Sequence, residues 1–232
     1  AAKALRGRSF YLQVLTEVLV RAVLKELDLP YSSVIYAGGG NFYLLAPLSA
    51  EAKLDQIREK IGRKMLAYHG TSLYLSIASA VVPVFGFQKG AITKHWNEMH
   101  KNLAVRKQQR YSEFGQDMIP LIFEPESHGG NQEAVCSVCG EEKPDTKVSG
   151  DGDERICESC SSFYDFLGGN LPNTAYIRFS YGGELESKSG TILDTLASFG
   201  AGLELFDSRG NSLGAVGSKI KDPKRAILWE ID

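Results

Sequence analysis

Four cysteines stand in two Cys-x-x-Cys knuckles, Cys136 with Cys139 and Cys157 with Cys160, separated by seventeen residues. Two residues between thiols let both sulfurs of a knuckle reach one ion. Two knuckles then supply the four soft ligands of tetrahedral Zn²⁺. Gly140 follows the first knuckle, where a tight turn is needed, and the intervening "EEKPDTKVSGDGDE" offers almost nothing to bury. Such a stretch depends on metal to hold its fold. Two disulfides would use the same residues, but no secretory leader points to an oxidising compartment, so zinc is expected. Four protein ligands leave no open position, so the zinc would be structural. His128, in the preceding loop, is a spare candidate ligand.

A second stretch raises a different chemistry. "VIYAGGGNFYLL", residues 34–45, reads as a β-hairpin with three consecutive glycines at its turn. One glycine usually suffices there, and each extra one loses backbone entropy on folding. A tip of Gly38, Gly39, Gly40 and Asn41 lets a nucleotide lie against bare backbone, as in phosphate-binding loops. The tip carries no carboxylate, and the neutral amide of Asn41 makes a poor Mg²⁺ site. It is suited to binding and unsuited to catalysis. The plain alternative is a turn whose glycines supply positive φ or close packing.

"LRGRSFYLQ", residues 5–13, places Arg6 and Arg8 near a helix start, where guanidinium groups and free amides both favour anions. Ser9 is a small donor and acceptor with room beside it for a base edge. Both arginines could equally be solvated and Ser9 merely tolerated. Residues 89–110 hold six Lys/Arg against one Glu, with His95 and His100, and with Trp96 and Tyr111 could face RNA. A solvated surface with Trp96 in the core fits as well, and neither histidine has a nucleophile partner.

These groups need elements to hold them. Tyr11, Leu15, Val18 and Ala22 recur at helical spacing from residue 1 to 27, with Pro30 ending the helix. The hairpin follows, then Ser49 as a helix cap, then a second helix faced by Leu54, Ile57, Ile61 and Met65. Leu73, Leu75 and Ile77 alternate with Tyr74, Ser76 and Ala78, which predicts a strand ended by Pro83. Ile92, Trp96, Met99 and Leu103 mark a third helix reaching about residue 111. A strand placed before Ala1 would complete a βαββαβ, ferredoxin-like unit. From Gly115 the chain is broken by prolines and glycines. After the cysteines come short strands at 175–179, 202–206 and 225–231, and a short helix at 192–199.

Composition sets the bounds. The 232 residues are 43% hydrophobic and 23% charged, an ordinary globular balance, with no apolar run long enough to span a membrane. A soluble, cytoplasmic protein is expected. The net charge of −2 is unevenly spread. Residues 1–115 carry 16 basic against 8 acidic residues, and 116–232 carry 10 against 20. That asymmetry suits a front half that meets phosphates.

Taken together, "LRGRSFYLQVLTE", "VIYAGGGNFYLLAP" and the two-knuckle module resemble the large subunit of type III-A (Csm-type) CRISPR–Cas effector complexes. Their order and spacing match its first palm domain followed by its zinc-bearing linker domain. The likeness covers most of the chain and is strongest over 1–46. It implies an RNA-guided antiviral complex, with guide and target RNA and further subunits as partners. It also implies a cyclase of two facing palms that bind ATP and make cyclic oligoadenylates, and an HD domain that cuts single-stranded DNA. In such proteins the metal-binding Gly-Gly-Asp-Asp hairpin sits on the second palm. The first palm carries a degenerate hairpin, which Gly38, Gly39, Gly40 and Asn41 match, and Ser9 matches the helix serine beside the adenine.

This sequence departs from that pattern in having no HD motif, no acidic hairpin and no opening palm strand before Ala1. The expectation is therefore a fragment, inactive alone and without catalytic residues of its own. Its fold class is α+β: a ferredoxin-like palm at 1–115 and a zinc-ribbon-containing domain at 116–232. The palm would hold one ATP through Ser9, Gly38, Gly39, Gly40, Asn41, Arg6 and Arg8, with Mg²⁺ supplied by the second palm. The alternative is a zinc-ribbon RNA-binding or assembly module without a nucleotide site.

Overall fold

A computed structural model describes residues 2–123, 130–148, 154–182, 184–185, 192–216, 220–221 and 225–230. His128 lies outside them. The elements mix helices with small antiparallel sheets, an α+β fold.

Helix α1, Ala2–Leu27, forms as the periodicity predicts. Ala4, Tyr11, Val14, Leu15 and Val18 mark one buried face of its first turns, while the second half is buried nearly all round. It ends before Pro30 is reached. Asp28 turns left-handed (φ 55°), the Leu29 amide donates to the Leu24 carbonyl and the Asp28 amide to that of Lys25. This is the paired arrangement of a Schellman cap, with aspartate in the place glycine usually takes.

Strands β1 (Val34–Gly38) and β2 (Asn41–Leu44) make the expected hairpin. Ser49 does not cap the next helix. It lies inside a 3₁₀ turn, Leu48–Lys53, and α2 runs on directly as Leu54–His69. Leu54, Ile57, Ile61 and Met65 are buried on α2 as their spacing requires.

Residues 73–83 depart from expectation, because among the described residues they pair with no strand. Side chains take over part of the ladder's role. The Arg58 Nε donates to the Ile77 carbonyl (2.9 Å) and the Asn102 Nδ2 to that of Ser79 (2.9 Å). Carbonyls two residues apart share one edge of an extended chain, so Arg58 and Asn102 cap that edge with polar groups. Helix α3 spans Ile92–Gln108 and α4 Met118–Phe123.

Beyond α4, β3 (Lys147–Val148) pairs with β4 (Arg155–Ile156). A helical run, α5, covers 158–170: Glu158–Ser161, a π-helical Ser162–Leu167 and Gly168–Asn170 without a break. The later strands are β5 (Tyr176–Tyr181), β6 (Glu184–Leu185), β7 (Ala201–Phe206), β8 (Ser212–Val216), β9 (Ile220–Lys221) and β10 (Arg225–Glu230), with the short helix α6 (Asp194–Ser198) before β7. Four of them form an antiparallel sheet in the order β10-β5-β7-β8. Ile177, Phe179, Leu203 and Leu205 are buried in it, while Arg178 faces Glu204 across the ladder as an ion pair.

The chain divides into two compact units. One joins 1–22, 36–42 and 125–232, and the other joins 23–35 and 43–124. The first holds the sheet, the cysteines and the first turns of α1. In the second, Tyr74 packs edge-on against a buried Tyr111 whose backbone is left-handed (φ 66°), and the Tyr74 hydroxyl meets Glu113. Tyr111 is thus a core residue rather than an RNA-facing one. Trp96 sits half-exposed against Tyr43, with ring centroids 4.6 Å apart.

Candidate metal centre and nucleotide face

The two knuckles converge. The Sγ atoms of Cys136, Cys139, Cys157 and Cys160 all lie within 4.8 Å of one another, and those of Cys139 and Cys157 are 3.9 Å apart. All four are free thiols. Ligands about 2.3 Å from a central ion in a tetrahedron stand just under 4 Å apart, so the cluster has the size a thiolate-bound metal needs.

Local backbone builds the cluster. The Gly140 amide donates to the Cys136 carbonyl and the Cys136 amide to that of Glu141, closing the first knuckle on a left-handed Gly140 (φ 75°). The Ser137 amide donates to the Arg155 carbonyl and so ties that knuckle to β4, which leads into the second. Cys157 precedes α5 and Cys160 lies in its first turn. Cys136, Cys157 and Cys160 are buried with Ile156, Val138 packs against them, and Cys139 stands at the open side.

Two of the sulfurs, those of Cys136 and Cys160, already accept hydrogen bonds of the kind that suit a thiolate. The amides of Val138 and Cys157 approach the Cys136 Sγ at 3.4 and 3.3 Å. Burial pushes the Cys136 thiol up, but the amides of Cys157, Cys139 and Val138 outweigh it and bring it down to about 6. Burial holds Cys157 up at about 11. Burial, with the neighbouring Cys157, also raises Cys160, against the pull of Arg8. One lowered thiol, Cys136, beside two raised ones, Cys157 and Cys160, fits a site whose remaining protons leave as metal enters.

Arg8, expected beside a phosphate, meets the cysteine cluster in this structure. Its Nη2 donates to the Cys160 Sγ at 3.2 Å, bridging α1 to the second knuckle. Arg6, more exposed, donates from Nη1 to the Gly168 carbonyl at 3.1 Å. Between them Gly7 is buried against α5, and a Cβ there would overlap the Phe163 carbonyl oxygen. A Cβ on Gly168 would in turn overlap the Lys3 carbonyl. The π-helical stretch begins beside Phe163, and Tyr11 packs on the Phe163 ring with centroids 5.1 Å apart. Nothing in the local pattern around Gly7 announced this crossing. A partner more than 150 positions away leaves no periodic trace.

Ser9 occupies the opposite side of α1. At 100° per residue it stands about 200° from Gly7, and it is exposed. Its neighbours one turn away on that stripe are Leu5, 69% exposed, and Leu12, 42% exposed.

The hairpin tip accounts for most of its own glycines. Gly39 and Gly40 have φ of 58° and 75°, the pair of positive angles a two-residue type I′ turn requires. A Cβ on either would meet nothing within 4 Å, so the tip is bare. Gly38 is different, because a Cβ there would sit 3.0 Å from the hydroxyl of Tyr36 on the same strand. Asn41 folds back, its Nδ2 donating to the Gly39 carbonyl at 3.2 Å. Among the described contacts none joins Ser9 to the tip.

No helix among the described residues is long and apolar enough to cross a membrane.

Residues 1–125 match the family described as Csm1 subunit domain B. The chain is 29% identical over 179 residues to the "CRISPR system single-strand-specific deoxyribonuclease Cas10/Csm1 (subtype III-A)" of Methanocaldococcus jannaschii, covering 70% of this chain and 22% of that one. It is 32% identical over 180 residues to the protein of the same description from Thermococcus onnurineus, covering 73% of this chain and 22% of that one. It therefore spans roughly a fifth of the length of these curated relatives. The fold is similar to a Csm1–Csm4 cassette solved with one ATP, at a TM-score of 0.56 and 22% identity, covering 90% of this chain and 23% of the other. It is also similar to such a cassette solved with pppApA, at a TM-score of 0.52 and 18% identity, covering 92% and 25%. With more than half its length inside that domain family, this chain belongs to the Csm1 subunit domain B family.

Proposed function

We propose that this chain is the first-palm and zinc-bearing part of the large subunit of a cytoplasmic type III-A CRISPR effector, with palm and zinc domain meeting near residue 115. Its palm holds one ATP against the hairpin tip, while a second palm of the same protein supplies Mg²⁺ and the acidic hairpin. The observation that carries this reading is the bare tip. Gly39 and Gly40 present backbone with no side chain, their own or a neighbour's, within van der Waals reach of a Cβ position. A relative-like fold solved with one ATP supports a nucleotide as the occupant.

Ser9 reads the base edge. The exposed Leu5 and Leu12 on either side of it give the flat adenine an apolar seat that a purely solvated helix face would lack. Arg6, held by a single hydrogen bond to a carbonyl, is free to turn toward phosphate, whereas Arg8 is engaged with Cys160. Asn41 shapes the tip through the Gly39 carbonyl and reaches sugar or phosphate on releasing it. The four cysteines hold a structural Zn²⁺, which stabilises the scaffold and supplies no chemistry to the nucleotide.

The test is ATP titration into the protein with its second palm present. A binding signal that disappears in Ser9→Phe supports the reading. RNA binding with no ATP signal supports the second one, a zinc-bearing RNA-binding or assembly module. That second reading has its own observation: half-exposed Trp96 on the basic α3, with His100 at 5.4 Å and Tyr43 at 4.6 Å between ring centroids, is a surface on which bases can stack.

A further inference from the structure

We infer that Arg8 is a positioning residue of the metal centre, and that metal binding fastens the first turns of α1, with Ser9 on them, to the helical run that grows from the second knuckle. The inference rests on the zinc reading above and carries it further, from a local staple to a lock on the nucleotide face.

Charge is the first ground. Four thiolates around a divalent ion leave net negative charge in a buried cluster, and buried charge requires compensating donors. The Cys136 Sγ receives two backbone amides. The Cys160 Sγ receives the Arg8 guanidinium at 3.2 Å, and among the described residues this is the cationic donor within hydrogen-bond reach of any of the four sulfurs. A thiol that becomes a metal-bound thiolate turns that contact from a cation donating to a neutral sulfur into a hydrogen bond between opposite charges, which is stronger. Metal loading therefore tightens Arg8 onto Cys160.

Continuity is the second ground. Cys160 lies in the first turn of α5, and α1 rests on the following turns without side chains between them, at Gly7 against Phe163 and at Gly168 against Lys3. Arg6 and Tyr11 add contacts to Gly168 and Phe163 on either side. The knuckle, α5 and residues 3–11 of α1 thus form one connected block. Ser9 sits on its outer face, placed by the same turns that Gly7 and Arg8 dock.

The test uses the purified protein loaded with Zn²⁺ or Co²⁺, as wild type, Arg8→Lys, Arg8→Ala and, as control, the exposed Arg209→Ala. Metal release to a chromophoric chelator should be about tenfold or more faster in Arg8→Ala, intermediate in Arg8→Lys and unchanged in Arg209→Ala. The thiolate-to-cobalt charge-transfer band should move to lower energy in Arg8→Ala, because a sulfur that loses its donor is a better electron source. Amide exchange over residues 5–12 should rise in the metal-free wild type and in loaded Arg8→Ala. Circular dichroism confirms that each variant folds. If the wild type takes up no stoichiometric metal, the zinc reading falls and this inference with it. If metal binds while the release rate and cobalt band of Arg8→Ala match wild type, or amides 5–12 stay protected without metal, this inference alone is overturned.

Discussion

Gly7 of α1 lies directly on the backbone carbonyl of Phe163, so close that a Cβ would overlap the oxygen. Two opposite effects meet at this position. In an ordinary helix interior, glycine-to-alanine gains about 0.5–1 kcal/mol of propensity. Here Gly7→Ala should instead cost about 2–3 kcal/mol, because α1 and α5 must separate to admit the methyl group. Urea unfolding midpoints decide between them. Leu5→Ala, on the exposed side of the same helix, should change stability by less than about 0.5 kcal/mol.

At the hairpin tip the conflict is between turn and ligand. Gly40 has φ of 75° with open space around its Cβ position, so Gly40→Ala meets conformational strain alone, about 1 kcal/mol, and Gly40→Asn less. If the tip only turns the chain, ATP affinity in the intact protein follows that small loss. If nucleotide lies on the bare backbone, Gly40→Ala should weaken ATP by well over the fivefold that 1 kcal/mol represents, and Gly40→Asn should weaken it although the turn tolerates asparagine. Calorimetric binding beside thermal midpoints separates the two outcomes.

Metal removal should act locally first. The polar stretch between the knuckles has few apolar groups, and the buried cluster there consists of three cysteines and Ile156 with Val138 against it. Stripping the metal, or Cys157→Ser, should lower bound zinc from one equivalent to none and raise amide exchange over 134–148 and 154–161. The α2 core of Leu54, Ile57, Ile61 and Met65 should keep its protection.

What the sequence disclosed divides along range of interaction. The cysteine spacing, the α1 and α2 faces and the glycine hairpin are local patterns, and each is present. The strand expected at 73–83 has the right alternation, but a ladder needs a partner, and its carbonyls meet Arg58 and Asn102 instead. Pro30 is the stop signal present in the sequence, whereas the left-handed Asp28 cap that ends the helix is a matter of backbone angle. Arg8 is expected beside a phosphate, and nothing near it in sequence names Cys160, just as nothing near Gly7 names Phe163. The Gly39–Gly40 pair needed a φ value to show that the turn itself accounts for two glycines.

His69, at the end of α2, gives the fold a pH signature. Its side chain is buried, and burial lowers its pKa from 6.5 to about 4. Between those values the unfolded chain binds a proton that the folded one refuses, so stability rises with pH across that window and is lost on acidification. At pH 5 the loss relative to pH 7 is about 2 kcal/mol, approaching about 3 kcal/mol near pH 4. Carboxylates and the cysteine cluster also respond to acid, so the contribution is isolated by difference. Urea unfolding of wild type and His69→Gln at pH 7 and pH 5 should show the wild type losing about 2 kcal/mol more than the variant. Equal losses would mean that His69 takes up its proton while folded.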